Sequence, residues 1–155
     1  MAYWRMQLHP DERGESVKHC VKSLAAGYIG LDFSAEVGDL MHATKDSLPK
    51  NQKDYWAFAH TMDLGDRVLV IAHHFPFALV RIAGEYNYVR RFAPEIGVWF
   101  RHFRKVDDIH FYADVKTKTD VRKWNRLIMK DTISPLHNES SQSYLLIEDW
   151  LRRLA

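Results

Sequence analysis

The sequence has few cysteines and no long apolar runs, two features that would assign a protein to a structural class. Its 155 residues include one cysteine, Cys20. A single thiol excludes an internal disulfide and a cysteine-cluster metal site, and it is typical of a protein from a reducing compartment. No apolar run is long enough to span a bilayer, and the first residues predict a strand where a signal peptide would lie. We therefore expect a cytoplasmic protein without a membrane partner.

The sequence also lacks a large excess of either positive or negative charge, and it lacks the common catalytic motifs. With 22 Lys and Arg against 20 Asp and Glu, the net charge is only +2, so any basic surface has to be local. The chain has no glycine-rich phosphate loop, no nucleophile elbow and no zinc helix motif. Its nine histidines show no ligand spacing, which favours scattered structural histidines over a metal site. We expect no enzyme activity, metal or cofactor.

Flat side chains are what the sequence has in surplus. Aromatic residues make up 13% of the chain and include five tryptophans, more flat surface than a core of this size requires. The hydrophobic share of 46% predicts a globular protein. No linker, repeat or low-complexity segment interrupts it, so residues 1–155 are predicted to form one domain.

The stretch from Met62 to Tyr88 is the predicted centre of the fold. Two runs rich in Val, Ile, Leu and Ala, over 67–73 and 77–83, predict two paired strands. Gly65-Asp66 before the first run predicts a turn whose Asp accepts unpaired backbone N–H groups. After Gly84, Tyr86 and Tyr88 alternate and so share one face of a strand end. We expect this face to form one wall of a binding site.

The other elements follow from periodicity and end signals. Strands are predicted over 2–8, 28–33, 97–106 and 110–115, helices over 16–26, 53–62, 120–129 and 144–154, and a return loop over 131–135. The first helix has its apolar stripe on Val17, Cys20, Val21 and Leu24, and Gly27 is its predicted C-terminal cap. Strands and helices in no regular βαβ order predict an α/β (α+β) fold around a curved mixed sheet or pseudo-barrel with flanking helices.

Five short motifs in a fixed order carry a family resemblance. They are Tyr3-Trp4, then Tyr28-Ile29-Gly30 with Gly38-Asp39-Leu40 behind it, Gly65-Asp66-x-Val68, Gly84-Glu85-Tyr86-x-Tyr88 and Arg104-x-Val106. In this order they resemble the EVE-type branch of the PUA-like superfamily, whose relatives include YTH domains. The chain is most similar to the amino-terminal specificity domains of modification-dependent restriction systems of the McrB kind. Related domains often have Trp directly after the Ile-Gly pair, whereas this chain has Leu31-Asp32-Phe33.

The resemblance implies a PUA-like domain that binds modified duplex DNA and flips a methylated base into an aromatic pocket. The preferred base is a 5-modified cytosine, with N6-methyladenine as the other candidate. The domain would target a restriction or defence system whose GTPase or nuclease module lies on the same or another chain. Two alternatives remain open, a methylated-RNA-binding domain of the YTH or PUA type and a small enzyme acting on a nucleotide.

Two sets of residues are candidates for this function. The predicted base pocket consists of Leu31, Asp32, Phe33, Trp56, Tyr86 and Tyr88. The predicted contacts to the nucleic-acid backbone are Arg90, Arg91, Arg101, Arg104 and Lys105, the densest cationic group in the chain. Each residue also has an ordinary role: core packing for the aromatics, a helix cap for Asp32, and a solvated charged face for the cations. An ionised Asp32 accepts hydrogen bonds only, which suits the exocyclic amine of cytosine.

Overall fold

The computed structural model describes residues 1–8, 16–33, 36–72, 74–91, 93–112, 124–125 and 131–155, without the side chains of Ser16 and Val17. The strands are β1 (Tyr3–Gln7), β2 (Tyr28–Leu31), β3 (Arg67–Ala72), β4 (Phe75–Tyr88), β5 (His102–Phe111) and β6 (Ile133–Pro135). The helices are α1 (Ser16–Ala25), α2 (Trp56–His60) and α3 (Gln142–Leu154). Short 3-10 turns cover Leu40–His42, Lys45–Ser47, Lys53–Tyr55 and Pro94–Ile96.

The strands form one six-stranded sheet in the order β2-β5-β4-β3-β1-β6. β1 and β3 run parallel, while the other neighbouring strands pair antiparallel. The register shifts once between β3 and β4 and twice between β4 and β5. Such irregularities bend strands and increase their twist. A mixed sheet with flanking helices confirms the predicted α+β class.

The core lies on both faces of the sheet, and β3, which lies inside the sheet, contributes side chains to both. Val68 and Val70 are buried in one apolar cluster with Cys20 and Leu24 of α1. The intervening Leu69 and Ile71 point to the other face and pack with Ile147 and Trp150 of α3. A strand buried on both faces has a continuous apolar run, which is why the sequence predicted this strand so clearly.

The predicted turn before β3 ties the first strand to the centre of the sheet. Gly65 has φ +88°, a conformation that favours glycine. The Asp66 carboxylate is 5% exposed and accepts the Asp63 backbone N–H at 3.0 Å. It also accepts the Trp4 indole N–H at 2.9 Å and the Ala2 N–H at 2.9 Å. The Tyr3-Trp4 and Gly65-Asp66 motifs therefore meet through one buried carboxylate.

The helices agree with the predictions except at their edges. α1 is followed by Gly27 at φ +86°, which confirms the predicted cap, but Val21 is 45% exposed and does not belong to the buried stripe. The predicted helix over 53–62 is the 3-10 turn Lys53–Tyr55 followed by α2. The predicted helix over 120–129 lies outside the described residues, apart from Trp124 and Asn125. No helix among the described residues is long and apolar enough to cross a bilayer.

Three strand predictions need correction. β4 begins at Phe75 and continues through Gly84 to Tyr88, because Gly84 lets Lys105 of β5 approach closely: a Cβ there would lie 2.9 Å from the Lys105 Cβ. β5 begins at His102 instead of residue 97, and it includes His110 and Phe111, so no separate strand begins at residue 110. The predicted return loop over 131–135 contains β6, which pairs with β1.

Candidate functional site

The last residues of β2 and β4 and the first residue of β5 lie side by side at one end of the sheet. In the antiparallel register Tyr88 lies opposite His102, and Leu31 of β2 lies opposite His102 on the other side. Alternation along β4 and β5 sends Tyr86, Tyr88 and His102 to the same face. We call the group that gathers here the polar cluster; its members are Asp32, Glu36, Tyr86, Tyr88, Arg101 and His102.

His102 is the buried centre of the polar cluster. It is 0% exposed and its ring lies between Tyr86, stacked at 6.0 Å, and Tyr88, tilted at 5.1 Å. Its Nδ1 is 2.7 Å from the Tyr86 hydroxyl, and that hydroxyl accepts the Leu40 backbone N–H at 3.0 Å. Burial holds the pKa of His102 below its usual range, against the opposing effect of Glu36. The imidazole is therefore neutral at pH 7.

Two carboxylates share one guanidinium beside this ring. Arg101 Nη1 lies 2.6 Å from Glu36 Oε2 and 4.0 Å from Asp32 Oδ1, and the Arg101 backbone N–H donates to Asp32 Oδ1 at 3.1 Å. Partial burial acts to raise the pKa of Glu36, but the Arg101 and Gly38 hydrogen bonds and the charge of Arg101 lower it overall. Glu36 is ionised at neutral pH, so the polar cluster presents acceptors and a cationic donor side by side.

Tyr88 gives the polar cluster an accessible flat face. Its ring is partly exposed, unlike that of His102 behind it. A planar molecule stacked on Tyr88 would bring its edge towards the carboxylates and the guanidinium. Aromatic stacking holds the plane of a ring, and edge hydrogen bonds select its substituents. The arrangement suits recognition of a heteroaromatic ring that carries both amine and carbonyl groups.

The polar cluster also contains a set of metal-ligating atoms. Donor atoms of Asp32, Glu36 and His102 lie within 4.8 Å of one another, and carboxylates with a neutral imidazole are ligands that divalent transition metals accept. The His102 Nε2 to Glu36 Oε1 distance is 3.4 Å. However, Arg101 pairs with Glu36 and lies 4.0 Å from Asp32, and its charge would repel a cation. We therefore assign no metal to these residues.

Two of the predicted pocket residues belong to the core. Leu31 is 0% and Phe33 1% exposed. The Phe33 ring contacts Tyr55 at 4.7 Å and His102 edge-on at 5.2 Å, so neither of its faces is available to a ligand. The prediction that Leu31 and Phe33 line the pocket is wrong. They support the polar cluster from behind because β2 is buried along its last three residues.

Trp56 is placed away from the polar cluster. Its ring stacks on His60 at 4.1 Å and its indole N–H donates to the Ala43 carbonyl at 3.4 Å. It lines a groove of about 690 Å³ in which no member of the polar cluster takes part. The structure thus brings together Asp32, Tyr86 and Tyr88 of the predicted pocket, and leaves Trp56 out.

Arg104 requires a correction among the predicted phosphate contacts. It is 4% exposed, and it donates to the carbonyls of Gly84 at 3.0 Å, Phe58 at 3.0 Å and Met62 at 2.8 Å. Burial lowers its pKa, although a guanidinium stays charged. Its donors face the protein interior, so the prediction that Arg104 contacts phosphate is wrong.

The other predicted cations differ in how available they are. Arg90, Arg91 and Lys105 are exposed, while Arg101 is partly buried and held by Glu36. Glu36 and His102 are site residues that the sequence prediction missed. A signal for His102 exists: it alternates with the apolar Val106, which is buried, so a histidine on that face lies inside. Glu36 lies in the connection after β2, which carries no periodic signal.

The chain forms a mixed α+β domain with a cluster of aromatic and charged side chains at the ends of β2, β4 and β5. No protein-family model matches the chain, and no curated protein matches it. Among solved structures, a hypothetical protein from Leishmania major matches at 12% identity and a TM-score of 0.41, over 99% of this chain and 96% of that one. Human THYN1 protein in complex with 5-methylcytosine-containing DNA matches at 17% identity and a TM-score of 0.32, over 99% and 97%.

Proposed function

We propose that this domain is a non-enzymatic reader of modified DNA that holds one flipped base at the polar cluster. The observation that carries the proposal is the partly exposed Tyr88 ring beside the Glu36 carboxylate and the Arg101 guanidinium, which are 2.6 Å apart. This combination offers a stacking face, an acceptor and a donor in one cluster. The preferred occupant is a cytosine with a 5-substituent.

The preference for cytosine follows from its edge. Cytosine has an exocyclic amine next to a ring nitrogen and a carbonyl, so it places one donor beside two acceptors. A carboxylate of Glu36 or Asp32 would accept from the amine, and Arg101 would donate to the neighbouring acceptor. Thymine has a carbonyl where cytosine has its amine, and an ionised carboxylate repels it. Adenine also has an amine, and N6-methyladenine is therefore the second candidate.

The energetics allow such a site to open a base pair. Flipping a base costs a few kcal/mol, and stacking on one aromatic face returns about 1–3 kcal/mol. Charge-assisted hydrogen bonds to the base edge add to this, although Arg101 and Glu36 have to exchange part of their mutual ion pair for them. The gain is selective only if the modified base makes contacts that the unmodified base lacks.

Sequence-independent affinity would come from the exposed cations. Arg90 and Arg91 follow the end of β4 directly, and Lys105 lies on β5. Phosphate contacts position DNA without reading its sequence. In keeping with the resemblance to McrB-type specificity domains, the reader would direct a GTPase or nuclease module on the same or another chain.

Fluorescence anisotropy with three labelled probes tests the proposal. The probes are a duplex with one 5-methylcytosine, the same duplex without the methyl group, and a single-stranded RNA with one N6-methyladenine. The proposal predicts the tightest binding to the methylated duplex. Equal affinity for the two duplexes would contradict the proposal, and tighter binding of the RNA would favour an RNA reader. In a separate assay, turnover of free nucleotides would favour an enzyme.

A further inference from the structure

A second aromatic site lies on the opposite side of β5 from the polar cluster. Adjacent residues of a strand point to opposite faces, so His102 enters the polar cluster while Phe103 points away from it. Phe103 lines a cavity of about 220 Å³. The walls of this aromatic cavity include Tyr28, Val89, Val98, Trp99, Phe100 and Phe103.

The aromatic cavity is preformed by close packing between β2, β5 and the connection after β4. Tyr28 meets Phe103 edge-on, with ring centroids 5.7 Å apart and planes at 80°. Phe100 forms the floor because Gly30 has no side chain: a Cβ there would lie 2.5 Å from the Phe100 ring. The connection is held by the Val89 N–H, which donates to the Arg101 carbonyl at 2.8 Å.

The chemistry of the lining specifies the kind of ligand. The six wall residues named above contribute no charged side chain. The Trp99 indole N–H is buried and has no hydrogen-bond acceptor among the described residues, and an unpaired buried donor is costly. A matching ligand therefore has flat apolar faces. The volume is below the 300–1,000 Å³ typical of sites for drug-sized molecules, so it suits a single ring system.

The surroundings favour a nucleobase over other flat molecules. Arg90 and Arg91 follow Val89 in the chain and are exposed, which places cations next to the aromatic cavity where a phosphate backbone would pass. The same connection links the two sites, because Tyr88 belongs to the polar cluster and Val89 to the aromatic cavity. We propose that the aromatic cavity holds a second, unstacked base of the bound DNA. This inference rests on the proposed function, since it assumes that DNA reaches this edge of the sheet.

The two sites then have different tasks. The polar cluster has charged groups that distinguish one base edge from another. The aromatic cavity has stacking surfaces, and stacking tolerates every base. It adds affinity for modified and unmodified DNA alike. A variant of the aromatic cavity should therefore weaken binding without changing the preference for modified DNA.

Phe103→Leu is the direct test, because leucine keeps apolar volume but has no flat face. The matched control is Phe77→Leu: Phe77 is also a partly buried strand phenylalanine, with an edge-on partner, Phe111, at 5.8 Å. Binding of an unmodified single-stranded 12-mer, whose bases need no flipping, is measured by anisotropy. Phe103→Leu should lose roughly 5- to 150-fold in affinity, the range of one stacked base, and Phe77→Leu should bind like the wild type.

The chemical shift of the Trp99 indole N–H gives a second measure of 12-mer binding. It is recorded on the wild type, so it does not depend on a substitution at Phe103 that could change stability. Trp99→Phe identifies its cross-peak in a proton–nitrogen spectrum of labelled protein, and the 12-mer is then titrated into the wild type. The Trp99 indole signal should shift. The Trp124 indole, which donates to the His74 carbonyl at 3.0 Å, should not move.

The possible results separate the inference from the proposed function. A static Trp99 signal at saturating 12-mer, absence of 12-mer binding, or equal affinities of Phe103→Leu and Phe77→Leu would overturn the inference. The preference of the wild type for a methylated over an unmethylated duplex depends on the polar cluster, so its absence would overturn the proposed function. Absence of that preference with a shifting Trp99 signal leaves the aromatic cavity as a base site of a general DNA-binding domain.

Discussion

Replacing Arg104 by methionine should destabilise the domain, because its guanidinium connects three segments that are distant in sequence. Its donors satisfy the carbonyls of Gly84 in β4, Phe58 in α2 and Met62 after α2, at 2.8 to 3.0 Å. Methionine fills similar apolar volume and supplies no donor. The three carbonyls then lose this donor in a place where Arg104 had been 4% exposed.

The expected loss is about 3 kcal/mol in the free energy of unfolding. An unsatisfied buried acceptor costs about 1–3 kcal/mol. Three such acceptors, taken without any other effect, could cost well over the expected loss. Two effects reduce it: water can reach part of the opened space, and the variant avoids the cost of burying a charge, the same burial that lowers the pKa of Arg104.

Urea unfolding followed by tryptophan fluorescence measures this loss, with Arg81→Met as the matched control. Arg81 also makes two donor contacts, to Asp107 at 2.8 and 2.9 Å, but its side chain is 44% exposed. An exposed pair of this kind contributes about 0–1 kcal/mol. If Arg104→Met is as stable as the wild type, or loses no more than Arg81→Met, Arg104 does not hold these segments together.

Two further predictions concern titration and salt. Between pH 7.5 and 5.5 the unfolded chain protonates His102, whereas the folded state resists protonation because burial lowers the pKa of His102. Wild-type stability should therefore fall by about 1 kcal/mol more than that of His102→Gln. Replacing Arg90 and Arg91 together by Gln should lower the log–log salt slope of duplex binding by roughly 0.9 for each phosphate that the variant no longer neutralises.

Each of these predictions has a result that contradicts it. Parallel pH curves for the wild type and His102→Gln would mean that His102 does not remain neutral in the folded state, and urea midpoints at several pH values decide this. For the arginine pair, anisotropy at several salt concentrations gives the slope. A slope equal to the wild type would remove the connection after β4 from the DNA interface.

The parts of the fold that the sequence predicted are those with a strong local period or a glycine at positive φ. β3 is a continuous apolar run, and α1 ends at Gly27 with φ +86°. The limits of β5 were misplaced because residues 97–101 alternate like a strand. Instead, Val98 forms an isolated bridge with Ala93. The sequence predicts a loop in place of β6 because three residues paired to β1 leave no pattern of their own.

The candidate site was only partly predictable for a related reason. Tyr86 and Tyr88 follow from alternation beyond Gly84. The burial of Arg104 does not, because its partners lie up to 46 residues away in the chain and the sequence alone predicts a surface charge for a guanidinium at a strand centre. Glu36 was missed since its role depends on the position of Arg101, 65 residues later.

The central claim is that Tyr88 stacks on the modified base, and one comparison tests it most directly. Wild type and Tyr88→Ala are each titrated with the duplex carrying one 5-methylcytosine and with its unmethylated counterpart. The account predicts that Tyr88→Ala loses about 1–3 kcal/mol with the methylated duplex, the value of one stacked face. It predicts a much smaller loss with the unmethylated duplex, because the domain does not hold an unmodified base flipped against Tyr88. Equal losses with both duplexes, or no loss with either, would contradict the claim and place Tyr88 outside the reading site.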